Sequence, residues 1–326
     1  MAGFPLDEAA VNGDPRLEPL RMGFGRGLHE AGRRDENVMA LCADLTDSTQ
    51  MTLFKDAFGD RFVEVGIAEQ NLATVAAGMA RAGKIPFTSS YAAFSPGRNW
   101  EQIKTTACLN DLPVKIVGSH AGLLTGLDGA THQMLEDIAL MRVLPGMVVI
   151  CPGDSIEAEK ATIALAANGR PSYLRLAREA TPVFTTPDSP FAIGTAYVLR
   201  DGADVTLAGT GTMTYALMQA AEALAGVGVD AEVIHVPTVK PLDADTILAS
   251  VRKTGRMVTA EEGQAAGGFG GAVAELLSAT RPVPVLRCGV EDRYGETGRP
   301  GELLAAFALD AAGLAARVKG FVEVWS

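Results

Sequence analysis

Apolar and polar positions alternate along this chain in two distinct rhythms. Short β-rich runs bounded by Gly, Pro or Asn predict strands: "NVMALCAD" (37–44), "RFVEVG" (61–66), "IPFTSSY" (85–91), "PVKIVGS" (113–119) and "MVVICPG" (147–153). Between them, "AEQNLATVAAGMARAG" (68–83), closed by Gly83, "NWEQIKTTACLN" (99–110) and "HQMLEDIALMRVL" (132–144) have helical spacing. Strand and helix in turn predict an α/β fold, a mostly parallel sheet with helices on both faces. The stretch "REATPVFTTPDSPFAIG" (178–194) is proline-bearing and without period, as an interdomain linker would be. A second α/β unit follows. "DVTLAGTGTMTYALMQAAEALAGVG" (204–228) reads as strand, glycine turn and helix, and "DAEVIHVPTVKPLD", "GRMVTAEEG" and "RPVPVLRCG" supply further strands. The expected fold class is therefore two doubly wound, mostly parallel-sheet domains.

Composition narrows the functions open to such a chain. A length of 326 residues with 48% hydrophobic residues is enough for two sizeable cores. The net charge of −11 argues against a nucleic-acid surface, which needs clustered Lys and Arg. Cys42, Cys108, Cys151 and Cys288 form no CxxC pair and read as buried free thiols. The first residues, "MAGFPLDEAAVNGDPRLEP", are acidic and broken by Pro and Gly, unlike a targeting peptide, and no apolar run reaches the roughly 20 residues of a membrane span. A cytoplasmic protein is expected.

Several motifs invite chemistry. "GTGTMTYA" and "GGFGGAVAELL" suggest a dinucleotide loop, but the second has Val273 where the third glycine belongs, so glycines that pack helix on strand explain both better. His120 and His132 lack an obvious third metal ligand, and no metal site is expected within this chain. Glu69 opens the helix after "RFVEVG". On local pattern alone it is equally a charge that complements the helix dipole. The loop "GSHAGLLTGLDGATHQ" follows a strand and gathers His120, Asp128 and His132 among glycines, where open α/β sheets bind ligands.

Taken in order, "VGIAEQN", "YAAF", "GSHAGLLTGLDGATHQMLEDIALMR" and "GVEDRYGETGRPGELL" resemble the carboxyl-terminal half of transketolase, and more closely the small subunit of split, two-gene transketolases. The likeness runs from about Arg16 to the end. It implies a pyrimidine-binding domain over 16–180, a linker over 181–194 and a C-terminal domain over 195–326. It also implies thiamine diphosphate as cofactor, with Glu69 as the carboxyl that hydrogen-bonds ring nitrogen N1′ and favours the imino tautomer that can take the thiazolium C2 proton. Tyr91 and Phe94 match the aromatics stacked on the pyrimidine ring. The position of a further contact one turn on is Gly97, with Arg98 offset by one. Asp128 and His132 match residues that bind hydroxyls of the ketose donor. Arg21, Ser48, His120 and Arg178 match a set near the sugar phosphate, where guanidinium forks suit an oxyanion.

The GDG motif that holds the cofactor's diphosphate through Mg2+ or Ca2+ is missing, so the resemblance implies a large partner subunit that supplies it. The expected assembly is an α2β2 heterotetramer in which this chain also pairs with itself, with helices near 68–83 and 99–110 at the interface. Two neighbouring activities compete with ketol transfer: the beta subunit of a 2-oxo acid dehydrogenase first component, and a deoxyxylulose-phosphate synthase.

Overall fold

The structure is a computed structural model and describes residues 3–325. Its strands, in chain order, are β1 (Leu17–Pro19), β2 (Val38–Cys42), β3 (Phe62–Glu64), β4 (Ile85–Tyr91), β5 (Lys115–Ser119), β6 (Val148–Ile150) and β7 (Ser172–Arg175). There follow β8 (Ala180–Pro182), β9 (Tyr197–Arg200), β10 (Val205–Gly209), β11 (Ala231–His235), β12 (Thr238–Lys240), β13 (Met257–Gln264) and β14 (Val285–Val290). A seven-stranded sheet has the order β12-β6-β7-β5-β4-β2-β3 and a five-stranded sheet the order β14-β13-β10-β11-β9. Each is parallel except for one edge strand, β12 in the first and β9 in the second. These are the two doubly wound α/β units that the alternation predicts.

The central strands are buried along their length. In β5 and β10 every residue is buried, because helices cover both faces. On one face of the larger sheet, helices Leu20–Arg34 and Ser155–Ala167 pack together over a core that contains Phe24, Leu28, Phe87 and Leu174. The other face carries helix Glu69–Arg81 and a core that runs on into the second sheet through Ala208, Ile234 and Phe269.

Three local expectations need correction. The segment 132–144 forms a helix only over Asp137–Arg142, since Gln133 and Met134 are held in the preceding loop. Residues 99–110 form one short α-turn, Trp100–Gln102, and then a π-helix over Ile103–Cys108. The stretch after Arg178 is not featureless: β8 pairs antiparallel with β1. The glycine-rich turn at 267–271 is built for packing. Glu261 accepts from the Phe269 and Gly270 amides at 2.7 Å each, so an internal carboxylate occupies the helix N-terminus where a nucleotide phosphate would sit.

Candidate active site

The predicted site residues gather at the carboxyl edge of the larger sheet. Tyr91 ends β4, His120 follows β5, Arg178 lies beyond β7, and Ser48 sits in the turn after β2. Arg21 is in the first turn of helix Leu20–Arg34, and Glu69 is the first residue of the helix after β3. Parallel strands aim their C-terminal loops at one crevice, so residues far apart in sequence meet there.

Glu69 is 2% exposed. Its Oε2 accepts a 2.7 Å hydrogen bond from Arg98 Nη1, and its backbone carbonyl accepts from the Asn99 side chain at 2.8 Å. Arg98 lies over the Phe94 ring, 4.7 Å from its centroid. A Cβ at Gly97 would stand 2.2 Å from the Ala93 carbonyl oxygen, so no side chain can be offered from that position without moving backbone. The offset residue, Arg98, is instead engaged by Glu69 and the Phe94 ring. The ion pair also means that Glu69 is not walled by apolar groups alone.

Tyr91 is the last residue of β4, as the strand read over 85–91 places it, and Phe94 lies in the turn that follows. Their rings are near-parallel, 14° apart in plane with centroids separated by 5.9 Å. Each also touches a histidine. Tyr91 stacks on His120 at 3.8 Å, and Phe94 meets His132 edge-on at 5.5 Å. The aromatic pair thus joins the Glu69 end of the crevice to the polar loop.

His120 has a left-handed backbone, φ 55°, which turns its ring inward from the end of β5. Arg21 Nη1 donates to His120 Nε2 at 3.3 Å, while Nδ1 lies 2.9 Å from Ser119 Oγ. A guanidinium has no acceptor, so Nε2 must carry the lone pair and Nδ1 the proton. Burial, together with the charges of Arg21 and Arg178 and the nearby His132, lowers the His120 pKa to about 3. His120 is therefore neutral, and the positive charge at this end belongs to the arginines. Arg21 also donates to the Ser48 carbonyl at 3.1 Å, and its buried Nε has no hydrogen-bond partner among the described residues. Arg178 donates to Asp128 Oδ1 at 3.0 Å and to the Thr125 carbonyl at 2.9 Å, and the Thr125 hydroxyl in turn donates to the His120 carbonyl at 2.6 Å. His132 Nδ1 lies 2.9 Å from Thr131 Oγ1.

The crevice thus offers a buried carboxylate beside two aromatic planes at one end, and two arginines, a carboxylate and two imidazoles at the other. Among the described residues no group of three His, Cys, Asp or Glu could hold a metal ion. Sequence reasoning did not find Arg98 as a partner of Glu69, nor Glu262 of β13, whose Oε1 accepts from the Leu124 amide of the loop, because both contacts close between distant segments.

Comparison with known proteins adds identity to this geometry. The family described as transketolase, pyrimidine binding domain, matches residues 19–183, and transketolase, C-terminal domain, matches 194–314. A 6-deoxy-6-sulfo-D-fructose transketolase subunit from Clostridium sp. is 42% identical over 284 residues, 87% of this chain and 88% of that protein. A 1-deoxy-D-xylulose-5-phosphate synthase from Geobacter metallireducens is 40% identical over 304 residues; these are 92% of this chain but 48% of that longer one. Among solved structures, a split-gene transketolase described as an inactive beta4 tetramer superposes with a TM-score of 0.88 at 41% identity, over 94% of this chain and 98% of that one. The chain belongs to the transketolase family and carries its pyrimidine-binding and C-terminal domains.

Proposed function

We propose that the chain is the small subunit of a thiamine-diphosphate-dependent transketolase, which moves a two-carbon ketol unit between sugar phosphates or related ketose and aldose substrates. The observation that carries this reading is the join between the two ends of the crevice, where Tyr91 stacks on His120 and Phe94 meets His132. The residues fit the pyrimidine end of the cofactor. Glu69 is a buried carboxylate able to accept from a protonated ring nitrogen, and the near-parallel Tyr91 and Phe94 offer π-faces to a flat heterocycle. Bound there, thiamine diphosphate supplies a nucleophilic thiazolium carbon. Asp128 and His132 are assigned to the hydroxyls of the ketose. Arg21 and Arg178 are assigned to its terminal anion, with Ser48 and His120 orienting Arg21. A sulfonate and a phosphate are both tetrahedral oxyanions, so the relative named for a sulfo-sugar agrees with this clamp.

The diphosphate and its divalent cation are assigned to a large subunit, in a heterotetramer of two large and two small chains. Ile67 beside Glu69 and Leu109 after the π-helix are 75% and 73% exposed, which supports a protein surface covering this region. The likeness to a chain described as an inactive beta4 tetramer supports self-pairing and a need for the partner.

The test mixes the purified chain with its candidate large subunit. Magnesium-dependent cofactor binding and ketol transfer are expected from the mixture only; turnover by this chain alone would refute the assignment. In the mixture, Glu69→Gln should slow exchange of the cofactor's C2 proton by about 10²–10⁴-fold, the usual reach of acid–base assistance. Carbon dioxide release from pyruvate would instead favour one of the two neighbouring activities, the 2-oxo acid dehydrogenase component or the synthase for which the Geobacter relative is named.

A further inference from the structure

The C-terminal unit meets the crevice along the loop between β5 and helix Asp137–Arg142, and it does so at the loop's left-handed glycines. A Cβ on Gly122 (φ 79°) would stand 2.3 Å from Glu262 Oε1, and one on Gly129 (φ 74°) would stand 2.5 Å from Thr297 Oγ1. Glu262, on β13, is the polar centre of this contact and is 2% exposed. Its Oε1 accepts from the Leu124 amide at 2.5 Å, and its Oε2 accepts from Thr212 Oγ1 at 3.2 Å. Its backbone carbonyl accepts from Arg175 Nη2 at 2.6 Å. From the other side, Gln133 Nε2 donates to the Gly126 and Glu296 carbonyls at 3.0 and 2.8 Å.

Burying a carboxylate is costly unless each oxygen finds a partner, and apolar residues would suffice if this seam needed only packing. Here one of those oxygens is bonded to the backbone of the loop that carries the polar half of the crevice. Leu124 lies midway in the chain between His120 and Asp128, so fixing its amide fixes the span between them. Adjacent to it, Thr125 receives Arg178 on its carbonyl and donates to His120.

We propose that Glu262 is a positioning residue, which pins the Leu124 amide from the C-terminal unit and so sets His120, Asp128 and His132 against the ketose donor. The donor part of this statement rests on the ketol-transfer reading; the tether itself does not.

Hydrogen exchange on the purified chain reads the tether directly. In Glu262→Ala, exchange across 120–133 should accelerate about tenfold or more while helix Glu69–Arg81 keeps its protection. Glu262→Gln retains an oxygen for the Leu124 amide and should behave as wild type. Should Glu262→Ala fail to fold, Glu262→Asp keeps the carboxyl group but shortens the reach, and should accelerate the same segment. In the complex with the large subunit, the variant lacking the tether should raise KM for the ketose about tenfold and leave exchange of the cofactor's C2 proton unchanged. Unaltered exchange over 120–133 would overturn the proposal. So would an equal loss at Glu69–Arg81 and at the cofactor, which marks general destabilisation, or a Gln variant as impaired as Ala. If the wild-type complex transfers no ketol unit, the proposed function fails, and the exchange data on the chain alone still decide the tether.

Discussion

Arg21 can only donate hydrogen bonds, and this alone decides which His120 nitrogen carries the proton. The consequence is measurable. The folded pKa of about 3 lies below the ordinary value near 6.5, so the folded chain binds fewer protons than the unfolded one between those limits. The stability contributed by neutral His120 is therefore complete above about pH 6.5 and is lost as pH falls towards 3. Glu261 and Glu262 act with the opposite sign. Burial raises both to about 7, so their stabilising effect grows as pH falls from there towards 4.5. Comparing wild type with His120→Gln isolates the histidine: between pH 7.5 and 5.5 the wild type should lose about 1.4 kcal/mol more than the variant in chemical denaturation. Equal losses would place a charged or exposed imidazole at this position. Glu69 shows what a sequence reveals at this scale. Its place at a helix start was visible in "VGIAEQN", whereas its ion pair with Arg98, 29 positions along the chain, was not, because the two meet only through the turn after β4.

Helices Leu20–Arg34 and Ser155–Ala167 show how elements are matched by what is missing from them. On the first helix a Cβ at Gly23 would lie 1.8 Å from the Ser155 carbonyl oxygen, and one at Gly27 would lie 2.7 Å from that of Glu159. Both obstacles are backbone, which cannot rotate away. Alanine is favoured over glycine inside a helix by about 1 kcal/mol, but overpacking typically costs about 1–3 kcal/mol or more, and the overlap at Gly23 is severe. Gly23→Ala should therefore destabilise the chain. At Gly78, in helix Glu69–Arg81, an added Cβ would meet nothing within 4 Å among the described residues, so Gly78→Ala should stabilise by about 0.5–1 kcal/mol. Urea midpoints that moved in the same direction for both variants would contradict this account. Strand "IPFTSSY" is observed as read, over Ile85–Tyr91, because its β-rich run sits between two neighbours in a covered sheet. The helix read over 132–144 begins only at Asp137, because the Gln133 side chain reaches Glu296, far along the chain. Local spacing has no access to such a partner.

The whole molecule is stitched across its two sheets. Strand β12 leaves the second unit to pair with β6 of the first, with Thr238 opposite Ile150, and Lys240 donates to the Arg142 and Leu144 carbonyls behind it. One apolar core joins Ile116 and Val149 to Ala208, Ile234 and Phe269, and the Arg175–Glu262 contact adds a buried polar seam. With so much shared interior, the two units should unfold together. Calorimetry on the chain alone should give a single transition whose calorimetric and van't Hoff enthalpies agree, and two resolved transitions would show that the seam is weak. The sequence by itself determined the alternation of elements, the two-sheet architecture, and the identity of the residues at the strand ends, since burial on both faces and the glycine and proline breaks write those features locally. Only the tertiary structure decided that Arg98 answers Glu69, that His120 is neutral behind Arg21, and that a glutamate of the second sheet holds the loop of the first. Each of these depends on the distance between groups remote in sequence, a quantity that periodicity and composition do not contain.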